Sequence, residues 1–247
     1  WRLVPALAGT ALAGVFLLLA RRVLPSERAA LLATTVRLCD GVFLVQSRIA
    51  MTNVFAVLFQ LLAALLVLRA AGRRRLRLGA TAAAGLALGL ALSTRWTSLF
   101  AAAFLGLVFL VLRVHGRRQQ TPPGEPAGSL LREAALVVVS FAVVPAAFYL
   151  LSYLPWMAQA HPSTWSEWWQ RSLDVVRVQR DIWSYHANLN ATHSYFSPWW
   201  TWPFLYRPTW YFWWSGPDVV RGIVAIGNPA IWWAALPATL WALTSGA

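Results

Sequence analysis

The chain has 247 residues, of which 59% are hydrophobic and 12% are charged, whereas soluble domains carry about 25% charged residues. Its net charge of +13 comes from arginine alone, because lysine is absent. The arginines form short clusters between apolar segments, which is the positive-inside pattern of membrane proteins and not the basic face of a nucleic-acid-binding domain. We therefore expect a lipid membrane as a partner and no nucleic acid.

Apolar segments follow one another along the chain, and most approach the ~20 residues that cross a bilayer. They are Leu3–Ala20, Ala29–Val45, Ile49–Leu68, Leu78–Leu92, Trp96–Leu112, Ala134–Leu154 and Val219–Leu243. We predict an all-α polytopic membrane protein with about seven transmembrane helices. Residues 1–154 are predicted to form a helical core of about six spans, residues 155–218 a Trp-rich loop, and residues 219–247 a C-terminal transmembrane helix.

Arginine clusters occupy alternate loops, which predicts the orientation of the chain in the membrane. They are Arg21, Arg22 and Arg28 in the first loop, Arg69, Arg73, Arg74, Arg75 and Arg77 in the third, and Arg113, Arg117, Arg118 and Arg132 in the fifth. These loops are predicted to be cytoplasmic. The turns at residues 46–48 and 93–95 and the loop 155–218 are then predicted to face the outside.

Two apolar segments contain residues that are unusual in a plain span. Arg37 and Asp40 are costly in an apolar run, and their spacing allows them to pair on one helix face. The Asp-Gly sequence at residues 40–41 also predicts a break near the outer end of the second span. The fourth segment is short and contains Gly79, Gly85 and Gly89. These glycines favour close packing against a neighbouring helix.

The predicted outer loop holds 11 of the 16 tryptophans of the chain. Thr164 and Glu167 form a capping box, which predicts that a helix begins there. Glu167 can also pair with Arg171 one turn later. The tryptophans on one face of this helix are Trp165, Trp168 and Trp169. The pattern favours an interfacial helix with its indole rings at headgroup level, although a plain aromatic belt explains much of the tryptophan content.

Several polar residues of the outer side could carry chemistry. Arg48 lies at a membrane boundary, where it could bind a lipid phosphate through two parallel hydrogen bonds or simply extend to the interface. Aromatic side chains interleaved with His, Asn and Arg suit sugar stacking and hydroxyl recognition. They include Tyr185, His186, His193, Tyr195, Trp199, Trp202 and Arg207. His186 and His193 lack a third ligand at the usual spacing, so we predict no metal site, and without a nucleotide-binding fingerprint we predict no cofactor.

Five short motifs occur in a fixed order along the chain. They are Trp1–Thr10; Asp40-Gly41 with Gln46-Ser47-Arg48-Ile49-Ala50-Met51; Asp181–His186; His193–Pro203 followed by Arg207-Pro208; and Gly227-Asn228-Pro229-Ala230-Ile231-Trp232-Trp233. In this order they resemble the signatures of bacterial protein O-mannosyltransferases, the dolichyl-phosphate-mannose–protein mannosyltransferases of glycosyltransferase family 39. The resemblance covers nearly the whole chain.

The resemblance implies a GT-C glycosyltransferase fold in the cell membrane, with an extracytoplasmic active side. The implied reaction transfers mannose from a polyprenyl-phosphate donor to Ser or Thr hydroxyls of secreted proteins. Arg48 and Gln46 are implied to bind the donor phosphate, and Asp40 and Asn228 to join the aromatic candidates in a donor and acceptor pocket. The family's catalytic acidic pair is expected upstream of Trp1, so the catalytic residues are unknown and the chain alone is expected to be inactive.

The chain departs from the family pattern at Asn53, where Asp is usual, at Ser194, where Pro is usual, and in the shorter spacing between Ser197 and Pro198. Two alternatives stay open at this point. One is another GT-C transferase with a different lipid-linked sugar or a lipid acceptor, although the motif from His193 to Pro203 favours protein mannosylation. The other is a non-catalytic membrane scaffold or transporter, although we find no internal repeat of the kind transporters show.

Overall fold

The structure is a computed structural model that describes residues 2–49, 51–72, 78–120, 127–190 and 195–245, without the side chains of 117–120 and 127–130. The predictions for Trp1, Ala50, Arg73, Arg74, Arg75, Arg77, His193 and Ser194, and for the side chains of Arg117 and Arg118, lie outside the described residues. The chain divides into two compact units, which are described separately. The first is Trp1–Leu58 with Thr192–Ala247, and the second is Phe59–Ala191.

The first unit begins with two apolar helices, α1 (Leu3–Val23) and α2 (Glu27–Leu38). Leu12 of α1 and Ala30 of α2 are buried, as expected where apolar helix faces meet. The turn between the helices is closed by an ion pair of Arg21 with Glu27. Ser26 caps α2 by accepting a hydrogen bond from the Ala29 N–H at 3.2 Å, which satisfies one of the unpaired amides of the first turn.

The predicted break in the second apolar segment is confirmed. The helix α2 ends at Leu38, and a short helix, α3 (Gly41–Gln46), follows it. Asp40 has an extended backbone and caps α3, because its carboxylate accepts a hydrogen bond from the Phe43 N–H at 3.4 Å. The cap explains why the second segment forms two helices instead of one continuous span.

The first unit also contains an antiparallel hairpin, formed by β1 (Thr209–Ser215) and β2 (Val220–Ala225). The apolar pattern of the sequence predicted no strands here, and it predicted that the last helix begins at Val219. That helix, α11, runs instead over Pro229–Ser245. The difference arises because residues 220–225 pair with the aromatic strand β1, and because Pro at the first helical position favours a helix start at Pro229.

The second unit is helical in the part that the structure describes. Its elements are α4 (Asn53–Ala71), whose residues 53–58 belong to the first unit, α5 (Leu78–Thr94), α6 (Ser98–Gln120), α7 (Ala127–Val138), a π-helical segment (Val139–Val143), α8 (Val144–Leu151), α9 (Leu154–Ala158) and α10 (Trp165–Ala187). Phe109 of α6 is fully buried against Val67, Ala70 and Ala84. This apolar contact joins α4, α5 and α6.

Helix α5 packs closely on the π-helical segment and on α8. A Cβ atom at Gly85 would collide with the Ser140 carbonyl oxygen, and one at Gly89 would lie 2.7 Å from the Phe148 Cβ. The Ser140 hydroxyl donates to the Thr81 hydroxyl at 2.7 Å in the same contact. The prediction of close packing by the glycines is therefore confirmed for Gly85 and Gly89, whereas Gly79 has no atom within 4 Å of such a Cβ.

The capping box at the start of α10 is confirmed. The Glu167 N–H donates to the Thr164 hydroxyl at 3.3 Å, and the Glu167 carboxylate accepts from the N–H groups of Ser163 and Thr164. The predicted pair of Glu167 with Arg171 is wrong, because this carboxylate is already engaged at the helix end. Arg171 pairs instead with Asp174 at 3.5 Å.

Four described helical stretches are long and apolar enough to cross a membrane. They are Leu3–Val23, Asn53–Ala71, Ser98–Gly116 and Leu131–Ala158. Helix α5 is apolar but shorter, and α2 and α11, with 12 and 17 residues, are also below the usual spanning length. The predicted polytopic helical membrane fold is confirmed, but the hairpin makes it mainly helical and not all-α. The count of about seven spans stays a prediction.

Candidate functional site

The last residue of α3 and the two residues after it, Gln46-Ser47-Arg48, are called the QSR turn below. Arg48 lies two residues beyond the end of α3, and its backbone N–H donates to the Val45 carbonyl at 3.0 Å. Its side chain is exposed. Among the described residues its guanidinium has no hydrogen-bond or ion-pair partner, so its fork of N–H donors is open to an anion.

Gln46 is held at both ends of its side-chain amide. Its Nε2 donates to the Tyr211 hydroxyl, and its Oε1 accepts from Asn53 Nδ2 at 3.1 Å. Tyr211 is the extra residue of a β-bulge, since Trp210 pairs with Val224 and Phe212 with Ile223. A bulge re-aims a side chain relative to the strand, and here the unpaired residue is the one that contacts the QSR turn.

Asn53 and Tyr211 therefore contact Gln46 of the candidate site, and neither was among the site residues predicted from the sequence. Asn53 was noted only as a departure from the family pattern. As an amide it can donate to the Gln46 oxygen, which an ionised Asp cannot do. For Tyr211 the available signal was a run of strand-forming aromatic residues, Thr209–Ser215, followed by Gly216-Pro217-Asp218. That combination is typical of a hairpin.

Asp40 lies at the opposite end of α3 and joins two distant parts of the chain. Its Oδ1 accepts from the Asn228 N–H at 3.0 Å and from the Trp232 indole N–H at 3.1 Å. Asn228 in turn donates from Nδ2 to the Cys39 carbonyl at 3.2 Å. These residues, Asp40, Asn228 and Trp232, are called the Asp40 joint. The joint fixes the start of α11 against the break between α2 and α3.

Two glycines, Gly41 beside Asp40 and Gly227 beside Asn228, allow the close approach of the chain segments at the Asp40 joint. A Cβ atom at Gly41 would collide with the Ile226 carbonyl oxygen, and one at Gly227 would collide with the Trp232 indole. Asp40 and Asn228 were predicted to line a donor and acceptor pocket. The structure shows that the Asp40 carboxylate and the Asn228 amide are hydrogen-bonded within the protein, so their direct effect is to hold two chain segments together.

Arg37 and Asp40 do not form the predicted ion pair, although the Asp40 charge lies close enough to attract Arg37. The Arg37 guanidinium lies over the rings of Phe16 and Phe43, at 4.9 and 5.1 Å from their centroids. Because α2 ends at Leu38, Asp40 leaves the helix face that carries Arg37 and turns to cap α3. The arginine is therefore accommodated by cation–π contacts.

The aromatic loop between residues 195 and 207 is braced by its own hydrogen bonds. The Trp202 indole donates to the Ser197 carbonyl at 3.1 Å, and Arg207 donates to the Phe196 carbonyl at 2.8 Å. The Arg207 guanidinium also lies 5.6 Å from the centre of the Tyr195 ring. Trp199, by contrast, is 70% exposed. The loop therefore presents Trp199 on a surface, whereas Trp202 and Arg207 hold the loop in shape.

Tyr185 and His186 belong to the second unit. The His186 ring stacks on Trp96, with a centroid distance of 6.3 Å and an angle of 4°, and Trp183 meets the same Trp96 edge to face at 6.0 Å. These contacts fix the end of α10 on the turn that begins α6. Among the described residues no group of three His, Cys, Asp or Glu side chains could hold a metal ion.

Helices long enough to span a bilayer define a polytopic membrane protein. Arg48, which is exposed and has no partner among the described residues, is its candidate for contact with an anionic ligand. The family profile described as dolichyl-phosphate-mannose–protein mannosyltransferase matches residues 1–161, and the profile of the C-terminal four-transmembrane region of protein O-mannosyltransferases matches residues 172–245. The chain therefore belongs to the dolichyl-phosphate-mannose–protein mannosyltransferase family, a family of membrane glycosyltransferases with a GT-C-like fold.

Curated relatives carry a consistent name, polyprenol-phosphate-mannose–protein mannosyltransferase. The chain is 30% identical to the protein of Mycolicibacterium smegmatis, with 98% of this chain and 56% of the relative covered. It is 28% identical to that of Mycobacterium tuberculosis, covering 98% and 55%, and 27% identical to that of Corynebacterium glutamicum, covering 99% and 56%. The chain thus spans little more than half the length of these relatives. No solved structure gives a significant match.

Proposed function

We propose that the chain forms part of an enzyme that transfers mannose from a polyprenyl-phosphate donor to Ser or Thr hydroxyls of secreted proteins, at the extracytoplasmic side of the cell membrane. The observation that carries the proposal is Arg48, an exposed guanidinium with no protein partner among the described residues, at a membrane boundary of a chain from this family. Membership of this family indicates the class of reaction, a mannosyl transfer. Arg48 indicates how the chain could bind the phosphate of a lipid-linked donor.

The leaving group of this reaction is a polyprenyl phosphate, which gains negative charge as the bond to mannose breaks. A positioned arginine stabilises such charge most in the transition state, and its planar fork binds phosphate through two parallel hydrogen bonds. The Gln46 amide donates one of its two hydrogens to the Tyr211 hydroxyl and accepts a hydrogen bond from Asn53. These bonds hold the QSR turn beside Arg48. In this proposal Gln46 positions the phosphate-binding turn, and Arg48 contacts the phosphate.

Contacts within each unit support the proposed sidedness. In the first unit the bond between Gln46 and Tyr211 puts the QSR turn and the aromatic hairpin on the same side. In the second unit Trp96 contacts His186 near the end of α10. At the other end of its helices, Arg113 pairs with Glu133 at 2.5 Å and donates to the Ala71 carbonyl at 3.4 Å. These groupings agree with the alternation of arginine-rich and aromatic turns.

Transfer can be assayed in membranes that contain the complete gene product, with radiolabelled polyprenyl-phosphate mannose and a Ser/Thr-rich peptide. We expect Arg48→Ala to lower transfer by roughly 100-fold or more, as removal of a charge-stabilising donor does in other enzymes. Arg48→Lys keeps the charge without the bidentate geometry and should recover only a small part of the rate. Arg28→Ala is the matched control, because Arg28 is another exposed arginine of the first unit.

Near-normal transfer by Arg48→Ala would refute the role of Arg48. Equal losses in the Arg48→Ala and Arg28→Ala variants would show a general effect of charge on the membrane protein. Transfer of the radiolabel to a lipid instead of the peptide would refute the proposed protein acceptor. Transfer from a different lipid-linked sugar, and not from the mannose donor, would refute mannose as the transferred sugar.

The proposed orientation has its own test in the first unit. Single cysteines are placed at Arg28 and at Ser215 after the native Cys39 is replaced by serine. A membrane-impermeant maleimide should label the Ser215→Cys variant in intact cells and the Arg28→Cys variant only after the cells are opened. Labelling of both variants in intact cells would overturn the orientation.

A further inference from the structure

A cavity of about 400 Å³ lies in the second unit, apart from every residue assigned above. Its walls are Ser93, Tyr149, Ser152, Tyr153, Trp156 and Val178. Its volume falls in the range of sites for small molecules. The lining contains aromatic rings, hydroxyl groups and one aliphatic side chain, and none of the lining residues is charged. We call it the tyrosine cavity.

The two tyrosine hydroxyls form a closed ring of hydrogen bonds with Gln179. The Tyr149 hydroxyl donates to Gln179 Oε1 at 2.6 Å, and Gln179 Nε2 donates to the Tyr153 hydroxyl at 3.0 Å. The two hydroxyl oxygens are 3.1 Å apart. Since the single proton of Tyr149 is used toward Gln179, Tyr153 must donate to Tyr149. Each tyrosine hydroxyl has therefore spent its donor and keeps an acceptor lone pair.

The serine hydroxyls of the cavity are in the same state. Ser93 donates to the Gly89 carbonyl at 2.8 Å, and Ser152 donates to the Tyr149 carbonyl at 2.6 Å. All the hydroxyls of the lining can thus accept a hydrogen bond from a ligand, but none can donate without breaking a bond within the protein. Trp156 is 41% exposed as a residue, and its indole N–H has no partner among the described residues.

This chemistry selects one class of ligand. An anion needs several donors, which the hydroxyls do not offer. A cation could use the acceptors and aromatic faces, but the lining has no carboxylate to balance its charge. A neutral saccharide brings many O–H donors, a few acceptors for an indole N–H, and an apolar ring face that packs on an aromatic side chain.

We propose that the tyrosine cavity is a binding site for a neutral hexopyranoside, with the sugar ring against Trp156 and its hydroxyls donating to Tyr149, Tyr153 and Ser93. The site rests on the second unit alone. It holds whether or not the transfer reaction proposed above is correct, because neither Arg48 nor the QSR turn contributes to it.

The test is saturation-transfer NMR with methyl α-mannopyranoside and the full chain, purified in a zwitterionic detergent that contains no sugar. We expect saturable binding. Trp156→Ala should weaken it by roughly tenfold through loss of the aromatic contact, and Tyr153→Phe, which opens the hydrogen-bond ring, should weaken it several-fold. Trp165→Ala is the matched control, because Trp165 is an exposed tryptophan of the same unit outside the cavity.

Circular dichroism and thermal unfolding establish that each variant folds, and Tyr153→Phe keeps the test decisive if Trp156→Ala does not fold. No saturable binding by the native chain would overturn the proposal. So would binding that persists unchanged in Trp156→Ala and Tyr153→Phe, or that is lost equally in Trp165→Ala. Displacement of the sugar by tetramethylammonium would identify a cation cage and also contradict the proposal, whereas failure of tetramethylammonium and of inorganic phosphate to compete is the expected result.

Discussion

The two ends of helix α3 carry polar side chains in opposite states. At one end, the Asp40 carboxylate accepts hydrogen bonds from Phe43, Asn228 and Trp232. At the other end, Arg48 is exposed and has no partner among the described residues. A polar group that is satisfied within the protein stabilises the fold, and its loss leaves partners unpaired. A charged group without a protein partner can bind a ligand without breaking an existing contact. We therefore expect the Asp40 end of α3 to stabilise the fold and the Arg48 end to be available for a ligand.

The largest effect on folding is expected for Asp40→Ala. The change removes the cap of α3 and leaves the Asn228 N–H and the Trp232 indole without their acceptor, which should lower the free energy of unfolding by about 2–4 kcal/mol. Thermal unfolding of the purified chain in detergent measures this loss. Asp218→Ala, at an exposed position in the turn of the hairpin, is the control. Equal destabilisation by the two changes would mean that the Asp40 joint has no special role.

A smaller effect is expected for Tyr211→Phe. The change removes one hydrogen bond from Gln46 and should cost about 1 kcal/mol. Because Gln46 then loses one of its two holds, the donor KM of the complete gene product should rise more than its kcat falls. Tyr206→Phe is the control, since it removes a tyrosine hydroxyl from the aromatic loop that precedes β1 but keeps the ring against Arg207. Identical kinetics for the Tyr211→Phe and Tyr206→Phe variants would show that the contact with Gln46 does not position the turn.

Local signals predicted the parts of this region that depend on neighbouring residues. The helix break at Asp40 follows from an acidic residue before glycine in an apolar run, and the capping box at Thr164 and Glu167 follows from spacing alone. The close packing of α5 follows from its glycines. In each case the decisive residues are adjacent or one helical turn apart, so periodicity and capping rules are sufficient.

Contacts between distant residues could not be predicted in the same way. Asp40 and Asn228 are 188 positions apart, and Gln46 and Tyr211 are 165 apart. Their meeting depends on the register of the hairpin and on its bulge, which no local pattern specifies. The tyrosine cavity likewise brings together residues of α5, α8, α9 and α10. Which acceptor each tyrosine hydroxyl donates to can be deduced only from the ring of hydrogen bonds in the structure.

Glu167 caps its own helix, α10, through Ser163 and Thr164. Unlike Asp40, it does not bond to a distant segment of the described chain. Hydrogen bonds from the N–H groups of Ser163 and then Thr164 favour the charged form and hold the pKa of Glu167 below its usual value. A pKa that is lower in the folded than in the unfolded state gives stabilisation at higher pH that is lost as the pH falls through the lowered pKa. The first turn of α10 should therefore fray in acid, with little effect on the rest of the chain.

Amide hydrogen exchange at residues 165–169, corrected for the intrinsic pH dependence, measures this fraying. Glu167→Gln keeps a capping side chain that does not titrate, so its protection should not respond to acid. Acid-dependent loss of protection of the same size in the Glu167→Gln variant would assign the effect to another group.

We propose that Arg48 binds a lipid phosphate and contributes little to folding. The most direct test of this claim is equilibrium binding of a short-chain polyprenyl phosphate, without sugar, to the purified native chain and to Arg48→Ala, with thermal unfolding of the same samples. We predict that Arg48→Ala loses most of the affinity while its free energy of unfolding changes by no more than about 0.5 kcal/mol, as for other exposed substitutions. Unchanged affinity for the polyprenyl phosphate in Arg48→Ala would contradict the claim.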